Sequence, residues 1–321
     1  MKELNKEQIK AWSVAGPKLA FGDAMEDACE RNKDVVVLAA DLAKALGVYG
    51  CKKYPGQYFN LGICEQNMIG IACGLAKEGK IPVASSFAPF ITLRVLEQVR
   101  TSACYMDLNV KLVGGNAGVK GGKAASSHYG LEDMSVTRCL PNMVVLSPAD
   151  GLSIYKATQA MIDHEGPAYM RLSGVGNMKI IYNNDFDFVI GKANKIVDGD
   201  DVIIFATGSM VARSLEAAEI LEAQGIKAGV YDMHTIKPLD TAAILDASGK
   251  TPLIVSVEEH TIIGGMGSAI AEVLAQTSSK ARLKILGLKD EFMEIACYET
   301  QLYKCGLLGD QLAETIKAEL A

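Results

Sequence analysis

The chain has 321 residues, 49% hydrophobic and 22% charged, with nine prolines and a formal net charge of −6. That length accommodates two ordinary globular domains, each able to bury its own core. The acidic balance argues against nucleic acid as the main partner, because phosphate binding wants a basic surface.

Residues 5–30 read as helix with a break at Gly16-Pro17, the second part running through Leu19, Met25 and Ala28. Residues 34–40 (Asp-Val-Val-Val-Leu-Ala-Ala) lack polar alternation, the mark of a parallel strand covered on both faces. They lead to Asp41, a carboxylate just past the strand's carboxyl end, where open α/β sheets place their ligands. A strand at 58–61 is followed by an amphipathic helix at 67–77, with Met68, Ile71, Ala72 and Leu75 at three- and four-residue steps. Glu65 stands where that helix begins, in a stretch otherwise uncharged from 58 to 76. The plain reading is a carboxylate favoured by the helix dipole. The sharper one is a carboxylate too costly to bury unless something pairs with it.

Residues 81–85 form a third strand. Phe87-Ala88-Pro89-Phe90 then opens a helix to about residue 105, with the proline in the first turn, where its missing N–H is no loss. Strand 110–113 precedes a polar, glycine-rich loop over 114–130 that carries Asn116, Lys123, Ser126, Ser127 and His128. Loops this long in compact domains are either functional or disordered. His128, beside Ser127 and Tyr129, is the best-placed general acid–base among the four histidines. Helix 131–139, strand 143–146, helix 148–163 and strand 168–172, which contains Arg171, complete a strand–helix alternation typical of a mostly parallel α/β sheet.

Gly, Asn and Asp dominate 174–200, with no helical stripe. A linker at 181–198 therefore separates a first domain, 1–180, from a second, smaller α/β domain, 199–321. The second domain reads as strand 202–206, helix 210–224, strand 228–232, helix 241–247, strand 253–258, a glycine turn at 263–267, helix 268–277 and strand 283–288. Its turn, Gly264-Gly265-Met266-Gly267, does not complete Gly-x-Gly-x-x-Gly, so tight strand-to-helix packing is expected there rather than a nucleotide. His164 and His234 read as structural or exposed, and His260, after Glu258-Glu259, as a candidate to line a site. Cys297 and Cys305 have no nearby histidine to make a zinc site. Thr207-Gly208-Ser209-Met210 lacks the second glycine of a hydrolase nucleophile turn. The eight cysteines form no Cys-x-x-Cys pair, and Cys29, Cys73 and Cys104 sit in apolar helical text as buried free thiols of a reducing compartment. With a charged start and no apolar run of membrane length, the expected location is the cytoplasm.

Five blocks now stand in order. Phe59-Asn60-Leu61-Gly62-Ile63-Cys64-Glu65-Gln66-Asn67 is the first, and Ser85-Ser86-Phe87-Ala88-Pro89-Phe90 with Arg94 and Glu97-Gln98-Val99-Arg100 the second. Ala117-Gly118 through His128, Pro141-Asn142-Met143 through Pro148-Ala149-Asp150, and Gly264-Gly265-Met266-Gly267-Ser268-Ala269 follow. The set resembles the C-terminal half of transketolase-like thiamine-diphosphate enzymes, and the length that of one chain of a split transketolase.

The resemblance implies a pyrimidine-binding domain followed by a transketolase C-terminal domain, acting as a transferase of two-carbon ketol units between sugars. Glu65 would hydrogen-bond the pyrimidine ring nitrogen of thiamine diphosphate and so activate the cofactor. Phe87 and Phe90 would hold that ring, with Asp41 and Leu93 nearby. His128 would contact substrate hydroxyls and move protons, and Arg171 would meet the substrate's phosphate or distal end through a two-point contact. The diphosphate and Mg²⁺ are held in this family by Gly-Asp-Gly and a later Asn, and no Gly-Asp-Gly occurs here. The resemblance thus implies a partner subunit carrying that motif, a heterotetramer by family analogy, and no activity from this chain alone.

Departures fall on the substrate side. Gly122-Lys123-Ala124-Ala125 replaces the usual Gly-Glu-Asp-Gly, and Tyr129 the Gln after the histidine. Lys18, Ala45 and Asn116 stand where the family has an Arg, a Ser and a His for phosphate. The sugar is therefore expected not to be a standard pentose phosphate. Alternatives are the β-subunit of a 2-oxo acid dehydrogenase E1, a non-catalytic paralogue, or a relative of 1-deoxyxylulose-5-phosphate synthase.

Overall fold

Apolar runs without polar alternation become strands buried on both faces, as the five fully buried residues Val35–Ala39 illustrate. The computed structural model describes residues 5–321. Its strands are β1 (Val35–Ala39), β2 (Tyr58–Asn60), β3 (Ile81–Phe87), β4 (Lys111–Ala117), β5 (Val144–Leu146), β6 (Ala168–Ser173), β7 (Asn194–Val197), β8 (Val202–Ala206), β9 (Ala228–Asp232), β10 (Thr235–Lys237), β11 (Leu253–Thr261) and β12 (Arg282–Leu288). They form a seven-stranded sheet ordered β10-β5-β6-β4-β3-β1-β2 and a five-stranded sheet ordered β12-β11-β8-β9-β7. Every pairing is parallel except β10 on β5 and β7 on β9. Helices cover the faces, giving the mixed α/β architecture expected.

The register matters for the site. β1 lies between β2 and β3, with Ala39 opposite both Asn60 and Ser85, and β3 carries Phe87 opposite Gly115 of β4. The carboxyl ends of β1 to β4 therefore meet along one edge of the sheet, where loops are free to carry chemistry.

Three local features differ from the sequence reading. Part of the expected linker, Asn194–Val197, is a strand that pairs antiparallel with β9. Thr235–Lys237, from the second half of the chain, closes the edge of the first sheet. Both strands are too short for an alternating pattern to register. The single helix expected over 87–105 is broken into Ala88–Ile91, Leu96–Gln98 and a widened turn over Val99–Cys104. Thr92 helps to break it, because its hydroxyl bonds the Ala88 carbonyl at 2.6 Å and competes with the regular ladder.

One apolar core runs from Leu38 and Met68 through Tyr169 to Phe205, Ile236, Ile254 and Ile270, so the two sheets share packed interior. All eight cysteines are free, and Cys29, Cys73 and Cys104 are buried. Among the described residues, no helix is long and apolar enough to cross a membrane.

Candidate active site

Glu65 opens the helix Glu65–Lys77, directly behind the end of β2, and is only 2% exposed. The helix dipole favours a negative charge at that first turn, but burial demands closer partners. They are two. The Ser86 hydroxyl donates to Oε1 at 3.0 Å, and the Arg94 guanidinium Nη1 meets Oε2 at 2.8 Å. Ser86 is fully buried near the end of β3, whereas the Arg94 side chain is 41% exposed. The carboxylate is thus held from inside by a buried hydroxyl and from outside by a partly exposed cation. It lines an open pocket of about 340 Å³ with Ile63, Cys64, Gln66, Asn67 and Arg94.

Through Arg94, which also lies over the Phe90 ring, it is joined to a cluster of three rings. Phe87 ends β3 and Phe90 lies in the following helical turn, their centroids 6.1 Å apart. His128, at the end of the 3₁₀ turn Gly122–His128, meets them edge-on at 6.0 and 5.1 Å. Edge-to-face packing orients the imidazole, and Ser127 Oγ lies 2.9 Å from its Nδ1. Glu65, Phe87, Phe90 and His128, spread over 64 residues of sequence, thus converge on one edge of the sheet. A buried carboxylate, two aromatic faces and an oriented imidazole suit a flat nitrogen heterocycle.

The other expected site residues distribute differently. Asp41 sits at the end of β1 in a left-handed conformation (φ 59°), and Asn60 holds it on two sides, accepting from its N–H and donating to its carboxylate. Leu93 is 42% exposed and immediately precedes Arg94. Lys18 is exposed in the first turn of Pro17–Arg31, and Asn116, also left-handed (φ 53°), is half-buried near the end of β4. The Lys123 side chain lies outside the described residues.

Arg171 requires a correction. It is 1% exposed, not open to a substrate. Its Nε and Nη2 grip Asp133 at 2.9 and 3.1 Å, and Nη2 also donates to the carbonyls of Gly130 and Glu259. A guanidinium in an otherwise apolar strand must be compensated, and here the compensation is internal. Tyr129 is likewise turned inward, its hydroxyl donating to the Gly122 carbonyl and accepting from Gln301.

The second domain's glycine turn also has an internal occupant. The Glu258 carboxylate accepts from the backbone N–H groups of Met266 and Gly267 at 2.7 and 2.8 Å, filling the anion position at the start of Met266–Leu274. A Cβ on Gly265 would lie 2.1 Å from Glu258, so the glycine is needed for this close approach. His260 is fully buried behind it and receives the Ser135 backbone N–H at Nε2. It does not line an open site.

Burial pushes His260 and the equally buried His234 down to about 4. Their folded values lie below the usual 6.5, so each contributes stability that is complete above about 6.5 and is lost as pH falls through 4. Glu258 and Asp232 act oppositely, because burial raises them to about 7 and about 8 and favours the fold as they take up protons. The histidine effect is isolated by comparison: His260→Gln should flatten the acid-side dependence of stability by about 1.4 kcal/mol per pH unit. The wild-type Cε1 resonances of both rings should hold their neutral positions down to about pH 5, and movement near pH 6.5 would refute this.

The two side chains that bond Glu65, Ser86 and Arg94, carried no assigned role in the sequence. The available signal was charge economy, since Arg94 and Lys80 are the only cations between 79 and 96, facing a lone carboxylate.

Comparison with known proteins places the chain in a family. Residues 17–174 match the transketolase pyrimidine-binding domain, and 191–311 the transketolase C-terminal domain. The chain is 38% identical to a 6-deoxy-6-sulfo-D-fructose transketolase subunit of Clostridium sp. (strain MSTE9), over 91% of this chain and 90% of that one. It is 36% identical to an apulose-4-phosphate transketolase subunit of Phocaeicola vulgatus, over 85% of this chain and 87% of that one. A solved split-gene transketolase, an inactive β4 tetramer, superposes with a TM-score of 0.87 at 38% identity, covering 95% of this chain and 98% of that one. With both domain matches and relatives spanning nearly its full length, the chain belongs to the transketolase family, as a chain of the split type that carries the pyrimidine-binding and C-terminal domains.

Proposed function

We propose that this chain is the C-terminal subunit of a thiamine-diphosphate-dependent split transketolase, moving a two-carbon ketol unit from a ketose to an aldose. The observation that carries the reading is Glu65, a buried carboxylate at a helix start, joined through Arg94 to the ring cluster of Phe87, Phe90 and His128. Thiamine diphosphate, when bound, supplies the nucleophilic carbon that takes up the two-carbon unit. Glu65 holds a proton at the pyrimidine ring nitrogen, with Ser86 fixing one carboxylate oxygen so that the other is aimed. Phe87 and Phe90 grip the ring and exclude water from it. His128 gives and takes protons at substrate hydroxyls, its orientation set by the two phenyl rings.

The diphosphate and Mg²⁺ belong to a partner subunit with Gly-Asp-Gly, and the pair assembles further, as a heterotetramer. Asp41 and Leu93 flank the cofactor, while Lys18 and Asn116 face the distal end of the sugar. Arg171 has no part in substrate binding. The inward Tyr129 and the short Ala124 leave room for a sugar other than a standard pentose phosphate, and the Clostridium and Phocaeicola relatives are named for such sugars.

The test is reconstitution. Co-expressed with a chain carrying Gly-Asp-Gly, this chain should give ketol transfer that requires both thiamine diphosphate and Mg²⁺, with neither chain active alone. Xylulose 5-phosphate with ribose 5-phosphate should be turned over at least about tenfold more slowly than the preferred pair. A complex that binds the cofactor, transfers no ketol unit and instead captures a lipoyl-carrier protein would favour a 2-oxo acid dehydrogenase.

A further inference from the structure

The contacts of Arg94 coincide with those assigned above to the pyrimidine ring. Its guanidinium carbon lies 3.9 Å from the centroid of the Phe90 ring, over the face, while Nη1 donates to Glu65 Oε2. A guanidinium is a flat, delocalised N–H donor, and it stacks on aromatic faces as a protonated heterocycle does. Ser86, fully buried, already covers the other carboxylate oxygen. Oε2 is therefore the oxygen open to a ligand, and Arg94 covers it.

The backbone explains why this arginine can both reach and leave. Residues 92–95 fall in the break between Ala88–Ile91 and Leu96–Gln98, so Arg94 is not constrained to a helix face. Its main chain is tied down, by its N–H to the Pro89 carbonyl at 3.1 Å and by its own carbonyl accepting from Gln66 at 3.2 Å. Its side chain is 41% exposed and has solvent to swing into. An anchored backbone with a long, partly exposed side chain is the anatomy of a latch.

We infer that Arg94 is a latch that occupies the pyrimidine position in the unloaded chain, neutralising Glu65 and covering Phe90 until the cofactor's ring displaces it. The inference rests on the cofactor reading given above. The closed latch lets a buried carboxylate persist in a chain whose site is completed elsewhere, where an uncompensated charge would be destabilising. It also lowers the apparent cofactor affinity by the fraction of time spent closed.

The test measures binding of thiamine diphosphate to the reconstituted complex, with Mg²⁺, by calorimetry. Arg94→Ala should bind about fivefold more tightly than wild type, because the competing closed state is gone. Arg94→Gln keeps a neutral hydrogen bond to Glu65 and guards against misfolding, and it should shift affinity the same way by a smaller factor. In a crystal of the loaded wild-type complex, the guanidinium should no longer lie over the Phe90 ring. Unchanged or weaker binding in both variants, or Arg94 still stacked on Phe90 in the loaded complex, would overturn the latch. Glu65→Gln made in the Arg94→Ala background, where no latch remains to be released, separates the two levels: if it leaves the cofactor affinity of that background unchanged, the pyrimidine reading itself falls. If it weakens binding while the Arg94 variants do not tighten it, only the latch falls.

Discussion

Glu65→Gln is expected to cut ketol transfer by the reconstituted enzyme by about 10²–10⁴-fold, the range for removing a positioned proton-transfer group, while leaving the fold in place. The amide is nearly isosteric and still accepts the Ser86 hydroxyl, so the helix Glu65–Lys77 keeps its start. Losing the charge strands no buried cation, because Arg94 is 41% exposed and water can solvate its guanidinium. The melting temperature of the free chain should therefore move by no more than a few degrees, equivalent to about 1 kcal/mol. What disappears is the ability to hold a proton at a ring nitrogen, which an amide cannot do. The decisive comparison is kcat at saturating cofactor alongside thermal melting. Full activity would remove Glu65 from the chemistry, and lost activity with a collapsed fold would make it merely structural.

How far the sequence anticipated this site depends on whether a residue's role is local or set by contacts remote in the chain. Glu65 was legible because a lone carboxylate in an uncharged stretch poses its own physical question, and the helix periodicity behind it located the turn. Phe87, Phe90 and His128 were legible as members of ordered blocks. Their convergence was not, because it depends on the parallel register that lays the ends of β3 and β4 side by side. Arg94 was hidden by the helix expected through it. Only the break at 92–95, with Thr92 bonded back to Ala88, frees its side chain to reach Glu65. The strands Asn194–Val197 and Thr235–Lys237 escaped for a different reason. Three or four residues define no period, and their pairing is fixed by tertiary contacts with β9 and β5. The Gly264-Gly265-Met266-Gly267 turn shows the limit of a motif read by itself. Its N–H groups do receive an anion, but the anion is the chain's own Glu258.

Arg171 gives the sharpest contrast between a sequence expectation and the fold, and its replacement should show which is right. If it met the substrate, Arg171→Met would raise KM and leave melting unchanged. The contacts demand the reverse. The guanidinium binds Asp133 in a two-point pair, Tyr169 donates to the same carboxylate at 2.6 Å, and Nη2 reaches the Glu259 carbonyl of β11. One side chain thus fastens β6 of the first sheet to the helix Asp133–Arg138 and to the second sheet. Removing it leaves Asp133, 1% exposed, as a buried carboxylate without its cation. Breaking such a pair costs about 3–5 kcal/mol, enough to lower the melting temperature of a chain this size by roughly 10 °C. Asp133→Asn should cost a similar amount by stranding the arginine. The double replacement, Arg171→Met with Asp133→Leu, leaves no unpaired charge and should recover much of the loss, so the two effects will be strongly non-additive. Additive losses would mean the pair is not coupled, and a KM effect without a melting effect would return Arg171 to the substrate.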